Sequence, residues 1–166
     1  MVVEPTNSLD VAAAVVERLN PISALKLQKL VFYVAGEYAA LTAEPLFPED
    51  IEAWELGPVV CDLWKEYKSF DEGQREIVEP LRGDSSKLND LAIGCVDSVL
   101  DKYGSYPGSR LVDMSHEETA WIESYVEGQK RTKIPFSALV DSFRAKEAGT
   151  VSEVLMERIF SAQSSA

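Results

Sequence analysis

The chain has 166 residues, of which 46% are apolar and 27% charged, a balance typical of one globular domain with its own core. Its formal net charge is −12. Such a surface repels phosphate backbones and attracts basic proteins, which argues against nucleic acid as a partner. The N-terminus lacks a signal peptide pattern, and the apolar run at 11–16 is too short to span a bilayer. We therefore expect a cytoplasmic protein with no membrane partner.

Two helices are predicted in the first 42 residues. Asn7 is a good N-cap for an alanine-rich helix over 9–19. Ser23 caps a longer helix over about 24–42, in which Gly36 indicates a close helix contact. Apolar residues recur along the second helix at spacings of three and four and form one stripe, which comprises Leu27, Leu30, Val31, Val34, Tyr38 and Leu41.

A short extended element is predicted near residues 46–57, where apolar and polar residues alternate imperfectly. Gly57-Pro58 is expected to end this strand and to start a helix over about 59–69, with Pro58 in the first helical turn. Within the strand, Trp54 packs either in a core or on a binding surface, and the sequence leaves both alternatives open.

The second half of the chain alternates loops and helices. The pattern Ser115-x-x-Glu118 is typical of a capping box that opens a helix containing Trp121, which would place His116 at the first helical position. The other expected elements are a loop at 70–86, helices at about 87–103 and 106–114, a basic loop at 128–133, a helix containing Leu139, Val140 and Phe143, and a last helix at 152–160.

Together these patterns predict a mainly α fold: a single compact domain of about seven helices with a short β element near residues 46–57. The domain would occupy 1–166, with its core at about 8–160 and a frayed tail at 161–166.

No convincing catalytic, cofactor or metal site is predicted. The only histidine is His116, and the only cysteines are Cys61 and Cys95, which are too few and too scattered for a zinc site. The sharpest enzymatic alternative is a hydrolase in which His116 activates Cys61, whose place in a first helical turn would lower the thiol pKa. No third, orienting residue can be named, and the apolar neighbours of Cys61 suggest that it faces the core.

Two charged segments have simpler explanations than chemistry. Glu52 and Glu55 would face opposite sides of a strand, so we expect a solvated face rather than an acid–base pair. The cluster Gln129–Lys133 is the only dense basic segment and is expected to be a solvated loop, although it could touch an acidic partner.

Three segments together resemble the Panacea domain of SocA-like antitoxins from bacteria and their phages. The resemblance spans roughly residues 8–160. Ser115 and Ala120 replace the threonine and proline usual in that family. The matching motifs are Leu25-Lys26-Leu27-Gln28-Lys29-Leu30-Val31-Phe32-Tyr33, then Pro45-Leu46-Phe47 with Ile51-Glu52-Ala53-Trp54 and Gly57-Pro58-Val59, and finally Tyr103-Gly104, Leu111, Ser115-His116-Glu117-Glu118 and Trp121.

The resemblance implies a non-enzymatic antitoxin that neutralises a cognate toxin by direct contact, the toxin being encoded next to it. An alternative is a proteolytic adaptor that presents the toxin to a cellular protease. Because few residues precede the first helix, we expect no added DNA-binding module. The motif residues expected to bind the partner or to shape the domain are Trp54, Gly57, Pro58, His116 and Trp121.

Overall fold

The computed structural model describes residues 6–147, and 60% of the residues are helical. The mainly α, single compact domain of about seven helices with a small β element is confirmed. The predicted helix at 152–160 and the tail at 161–166 lie outside the described residues. The elements are α1 (Ser8–Arg18), α2 (Ala24–Thr42), β1 (Ile51–Trp54), β2 (Gly57–Val60), α3 (Cys61–Glu72), a 3-10 turn (Ser85–Lys87), α4 (Asp90–Tyr103), α5 (Gly108–Ser115), α6 (Thr119–Ser124), β3 (Thr132–Lys133) and α7 (helical at 136–147).

Helix α2 lies at the centre of the domain, with α1, α3, α4, α5 and β2 packed around it. Its N-terminus is capped by Ser23, whose side chain accepts from the Lys26 amide, as predicted. A Cβ at Gly36 would collide with the ring of Phe143, so the predicted close contact exists and joins α2 to α7. The predicted stripe is too narrow and wrong at one end, because α2 is buried on almost all sides while Leu41 is 56% exposed.

Strands β1 and β2 form an antiparallel hairpin that pairs Trp54 with Gly57, and β3 adds on the far side of β1. The predicted role of Gly57-Pro58 is therefore wrong: both residues belong to β2, and helix α3 begins only at Cys61. Gly57 has φ +106°, and a Cβ there would collide with the Ser115 hydroxyl. Local signals favoured a helix start, but pairing with β1 extends this segment instead.

The predicted capping box is also wrong. Ser115 is the last residue of α5, and its hydroxyl donates to the carbonyl oxygen of Val112 at 2.7 Å. His116 is the C-cap of α5 rather than the first residue of the next helix. The carboxylate of Glu118 cannot cap because it accepts from the Tyr33 hydroxyl at 3.1 Å and pairs with a lysine of α7.

Candidate functional site

Two residues of α2 hold the outer edge of the hairpin. The Gln28 amide donates to the Val60 carbonyl oxygen and accepts from the Val60 N–H, each at 3.0 Å. The Lys29 amine donates to the Pro58 carbonyl oxygen at 2.8 Å. Since β2 is an edge strand and proline has no N–H, these contacts occupy backbone groups that a further strand would need. The edge of β2 is therefore closed to strand addition.

The tip of the hairpin is held from the other side by His116 and Trp121. The Nε2 of His116 lies 2.8 Å from the Glu55 carbonyl oxygen, an arrangement that places the proton on Nε2. The indole N–H of Trp121 donates to the Trp54 carbonyl oxygen at 2.8 Å. The two rings also pack against each other, with centroids 4.4 Å apart. Four side chains from three parts of the chain thus fix one hairpin.

Lys29 is an unusual component of this support because its side chain is only 1% exposed. Burial lowers the pKa of its amine to about 7. The amine also depends on Gly57, since a Cβ there would lie 3.2 Å from Nζ. No carboxylate is hydrogen-bonded to this amine in the described part of the chain, so its burial opposes the charged form.

An apolar groove opens beside the hairpin tip, and we call it groove A. Trp54 and Trp64 meet edge to face in its wall, with centroids 5.3 Å apart. Leu56, at the turn of the hairpin, is 58% exposed. Trp54 is half-buried, and its indole N–H is buried without an acceptor within residues 6–147. Groove A has a volume of about 280 Å³ and is lined by Ala24, Leu25, Leu27, Gln28, Lys29, Trp54, Glu55, Leu56, Val59, Leu63, Trp64, Tyr67, Lys68 and Asp71.

A second groove, groove B, lies on the other side of the same tip. Its aromatic walls are Trp54 and Tyr125, and Tyr125 stacks on Trp121 with centroids 4.7 Å apart. Apart from Glu55 in the hairpin turn, the rest of the lining comes from the predicted basic loop at 128–133, within which β3 forms. Groove B has a volume of about 440 Å³ and is lined by Trp54, Glu55, Tyr125, Gly128, Gln129, Lys130 and Arg131.

The structure gives the Cys61–His116 pair no support. The Cys61 thiol donates to the Glu52 carboxylate at 2.6 Å, while His116 is engaged by the Glu55 carbonyl oxygen. Burial, together with Glu52, raises the pKa of the Cys61 thiol to about 12, which is opposite to the lowering expected from its helix position. A thiol with so high a pKa is a poor nucleophile near neutral pH.

Glu52 itself corrects another expectation. It is 8% exposed rather than part of a solvated face, whereas Glu55 is exposed as expected. Within residues 6–147 no group of three or more His, Cys, Asp or Glu residues is placed to hold a metal ion. None of the described helices combines the length and apolar character needed to cross a membrane.

Of the residues singled out from the sequence, Trp54, Gly57 and Pro58 lie in the hairpin, and His116 and Trp121 contact its tip. Sequence reasoning misses the roles of Gln28 and Lys29, which it places only within the family motif Leu25–Tyr33. One available signal was that two adjacent long polar residues interrupt a helix that is apolar on both sides of them.

The model of the family described as antitoxin SocA-like, Panacea domain, matches residues 27–122, a segment that contains both strands of the hairpin and all four side chains that hold it. Comparisons with curated proteins and with solved structures gave no match. Because the match covers more than half of its length, the chain belongs to the SocA-like antitoxin family that shares the Panacea domain.

Proposed function

We propose that this protein is the antitoxin of a toxin–antitoxin pair and neutralises its cognate toxin by direct, non-enzymatic binding through the hairpin tip. The observation that supports this best is that the backbone of the hairpin tip is held in place while its apolar side chains remain partly exposed. Trp54 and Leu56 stand partly or largely exposed at a tip that Gln28, Lys29 and Trp121 hold in place. The family supplies the expectation of a toxin partner.

Such a tip is suited to protein recognition because its backbone already has a fixed conformation before the partner binds. A partner that docks on a preorganised surface loses less conformational entropy, which leaves more of the contact energy for affinity. Tryptophan is also one of the residue types enriched among interface hot spots. The net charge of −12 would speed encounters with a basic toxin at long range.

The test uses a toxic reading frame adjacent to this gene. Co-expression of the two chains in the cytoplasm should restore growth, and the two proteins should co-purify. The Trp54→Ala variant should lose rescue while its helical circular dichroism and melting temperature stay near those of the wild type. Loss of rescue together with unfolding would make Trp54 a core residue and overturn the proposed role of the tip.

The half-life of the toxin distinguishes occlusion from proteolytic delivery. Occlusion predicts a toxin that is silent and at least as long-lived when this chain is present. A half-life that shortens on co-expression, and recovers when the cellular protease is removed, would instead identify the chain as an adaptor.

A further inference from the structure

The two grooves beside the hairpin tip differ in chemistry although they share residues. Groove A is lined mainly by apolar and aromatic side chains, whereas groove B contains Lys130 and Arg131. Trp54 and Glu55 line both grooves. One polypeptide segment that crosses the tip would therefore contact an apolar surface first and a basic surface next.

The two cations of groove B are available for a partner. Lys130 and Arg131 are exposed, and neither belongs to an ion pair within residues 6–147. By contrast, Lys133 of the same loop pairs with Asp50 at 3.0 Å. On a chain of net charge −12, two unpaired neighbouring cations form a local exception to the overall field.

This exception changes the expected character of the bound segment. The overall charge acts at a distance and favours a basic toxin, but at contact distance a basic segment would face Lys130 and Arg131. Nucleic acid fits less well than a polypeptide, because the two cations of groove B neutralise few phosphates and most of the lining of groove A is apolar. An acidic segment with an apolar residue matches both grooves at once.

Building on the proposed function, we propose that the partner segment crossing the hairpin tip is locally acidic: one large apolar side chain enters groove A beside Trp54, and neighbouring Asp or Glu residues pair with Lys130 and Arg131 in groove B. The acidic residue Glu55, at the tip, sets the order of the segment. It repels a carboxylate placed over the tip itself and so favours a neutral residue between the apolar anchor and the acidic residues.

Three fluorescein-labelled peptides of one length test this. Each contains a central Leu-Phe pair and a glycine spacer, followed by a run of Glu, of Gln or of Lys. Anisotropy titrations should give the Glu peptide a Kd about tenfold lower than that of the Lys peptide, a difference that shrinks as added salt shortens the Debye length. The double variant Lys130→Glu/Arg131→Glu should reverse this order. The control Lys65→Glu/Arg75→Glu changes the net charge equally with exposed residues outside both grooves and should leave the order unchanged.

The inference is overturned if the Lys peptide binds as tightly as the Glu peptide, if the Glu peptide gives no saturable binding, or if both double variants change the order alike. Its failure is separable from that of the proposed function. A wild-type chain that neutralises its toxin but shows no preference among the peptides keeps the function and refutes the acidic segment. A chain that prefers the Glu peptide but protects against no toxin keeps the acidic segment and refutes the proposed function.

Discussion

The Lys29 amine donates to the Pro58 carbonyl oxygen at 2.8 Å. This contact joins the central helix α2 to β2, an edge strand of the three-stranded sheet. The contact has a cost, because the buried amine must give up its charge or its hydration. A folded state with a lowered lysine pKa binds fewer protons than the unfolded chain, for which the pKa of lysine is 10.5. Lys29 should therefore contribute a rise in the free energy of unfolding as pH increases above about 7.

We predict that the wild type gains stability as pH rises from 7 towards 9. Between the folded pKa of about 7 and the unfolded value of 10.5, the unfolded chain retains a proton that the folded chain has lost. Relative to Lys29→Met, the free energy of unfolding of the wild type should rise by roughly 2 kcal/mol between pH 7 and pH 9. Urea titrations at three pH values measure it. Lys65→Met, which replaces an exposed lysine, should show the wild-type pH dependence. If the free energy of unfolding varied with pH in the same way for the wild type and for Lys29→Met, Lys29 would remain charged in the folded state.

A second prediction concerns Gly57. The Gly57→Ala variant should lose roughly 2 to 4 kcal/mol, since a positive φ disfavours a side chain and the new Cβ meets the Ser115 hydroxyl. Gly94→Ala is the matched control, because nothing lies within 4 Å of a Cβ there and alanine is favoured in a helix. Thermal or urea unfolding should rank the control at or above the wild type. Equal losses in both variants would contradict the close packing described for the hairpin.

Removing the Gln28 side-chain amide should detach the edge strand β2 from helix α2 at Val60. Gln28→Leu leaves the Val60 N–H and carbonyl without partners, a loss of roughly 2 to 4 kcal/mol. Hydrogen exchange localises the effect, because protection of the Val60 amide should fall further than global stability explains. The Ile77 amide, which donates to the Ile22 carbonyl oxygen at 2.7 Å, is an internal reference and should follow global stability alone. Unchanged relative protection at Val60 would mean that another group replaces Gln28.

Cys61 should be chemically inert and dispensable. With a thiol pKa of about 12, its alkylation by iodoacetamide at pH 8 should be roughly a hundredfold or more slower than that of a free thiol. The measurement uses Cys95→Ala, so that only one thiol reports. Cys61→Ser should protect fully against the toxin. A fast-reacting Cys61, or a serine variant that no longer protects although it folds, would revive the enzymatic alternative.

The helices could be predicted because their signals are local. Asn7 caps α1 and Ser23 caps α2 by accepting a backbone N–H three residues on, contacts that the sequence displays directly. The hairpin could not be predicted in full, since its turn at 55–56 has no glycine and the pairing of Val59 with Glu52 is a contact between segments. The dipeptide Gly57-Pro58 is compatible with the start of a helix and with the start of a strand, so its local sequence does not distinguish the two.

The predicted capping box between α5 and α6 is wrong for a similar reason, namely contacts between segments that are distant in the sequence. A capping box needs the carboxylate of Glu118, but tertiary partners Tyr33 and Lys146 take it. Ala120 replaces a proline usual in the family, and its N–H donates to the Ser142 hydroxyl at 3.2 Å, a contact that proline cannot make. Helical periodicity likewise cannot show that the long side chains of Gln28 and Lys29 turn inward to a strand.

Binding of the toxin at the hairpin tip is tested most directly by comparing two exposed leucines. Leu56 is 58% exposed at the tip, and Leu91 is 45% exposed on α4, outside both grooves. The measurement is the Kd of purified toxin for Leu56→Asp and for Leu91→Asp, each checked for wild-type melting. We predict at least a tenfold loss of affinity, about 1.4 kcal/mol, for Leu56→Asp alone. Wild-type affinity in Leu56→Asp, or an equal loss in both variants, would contradict it.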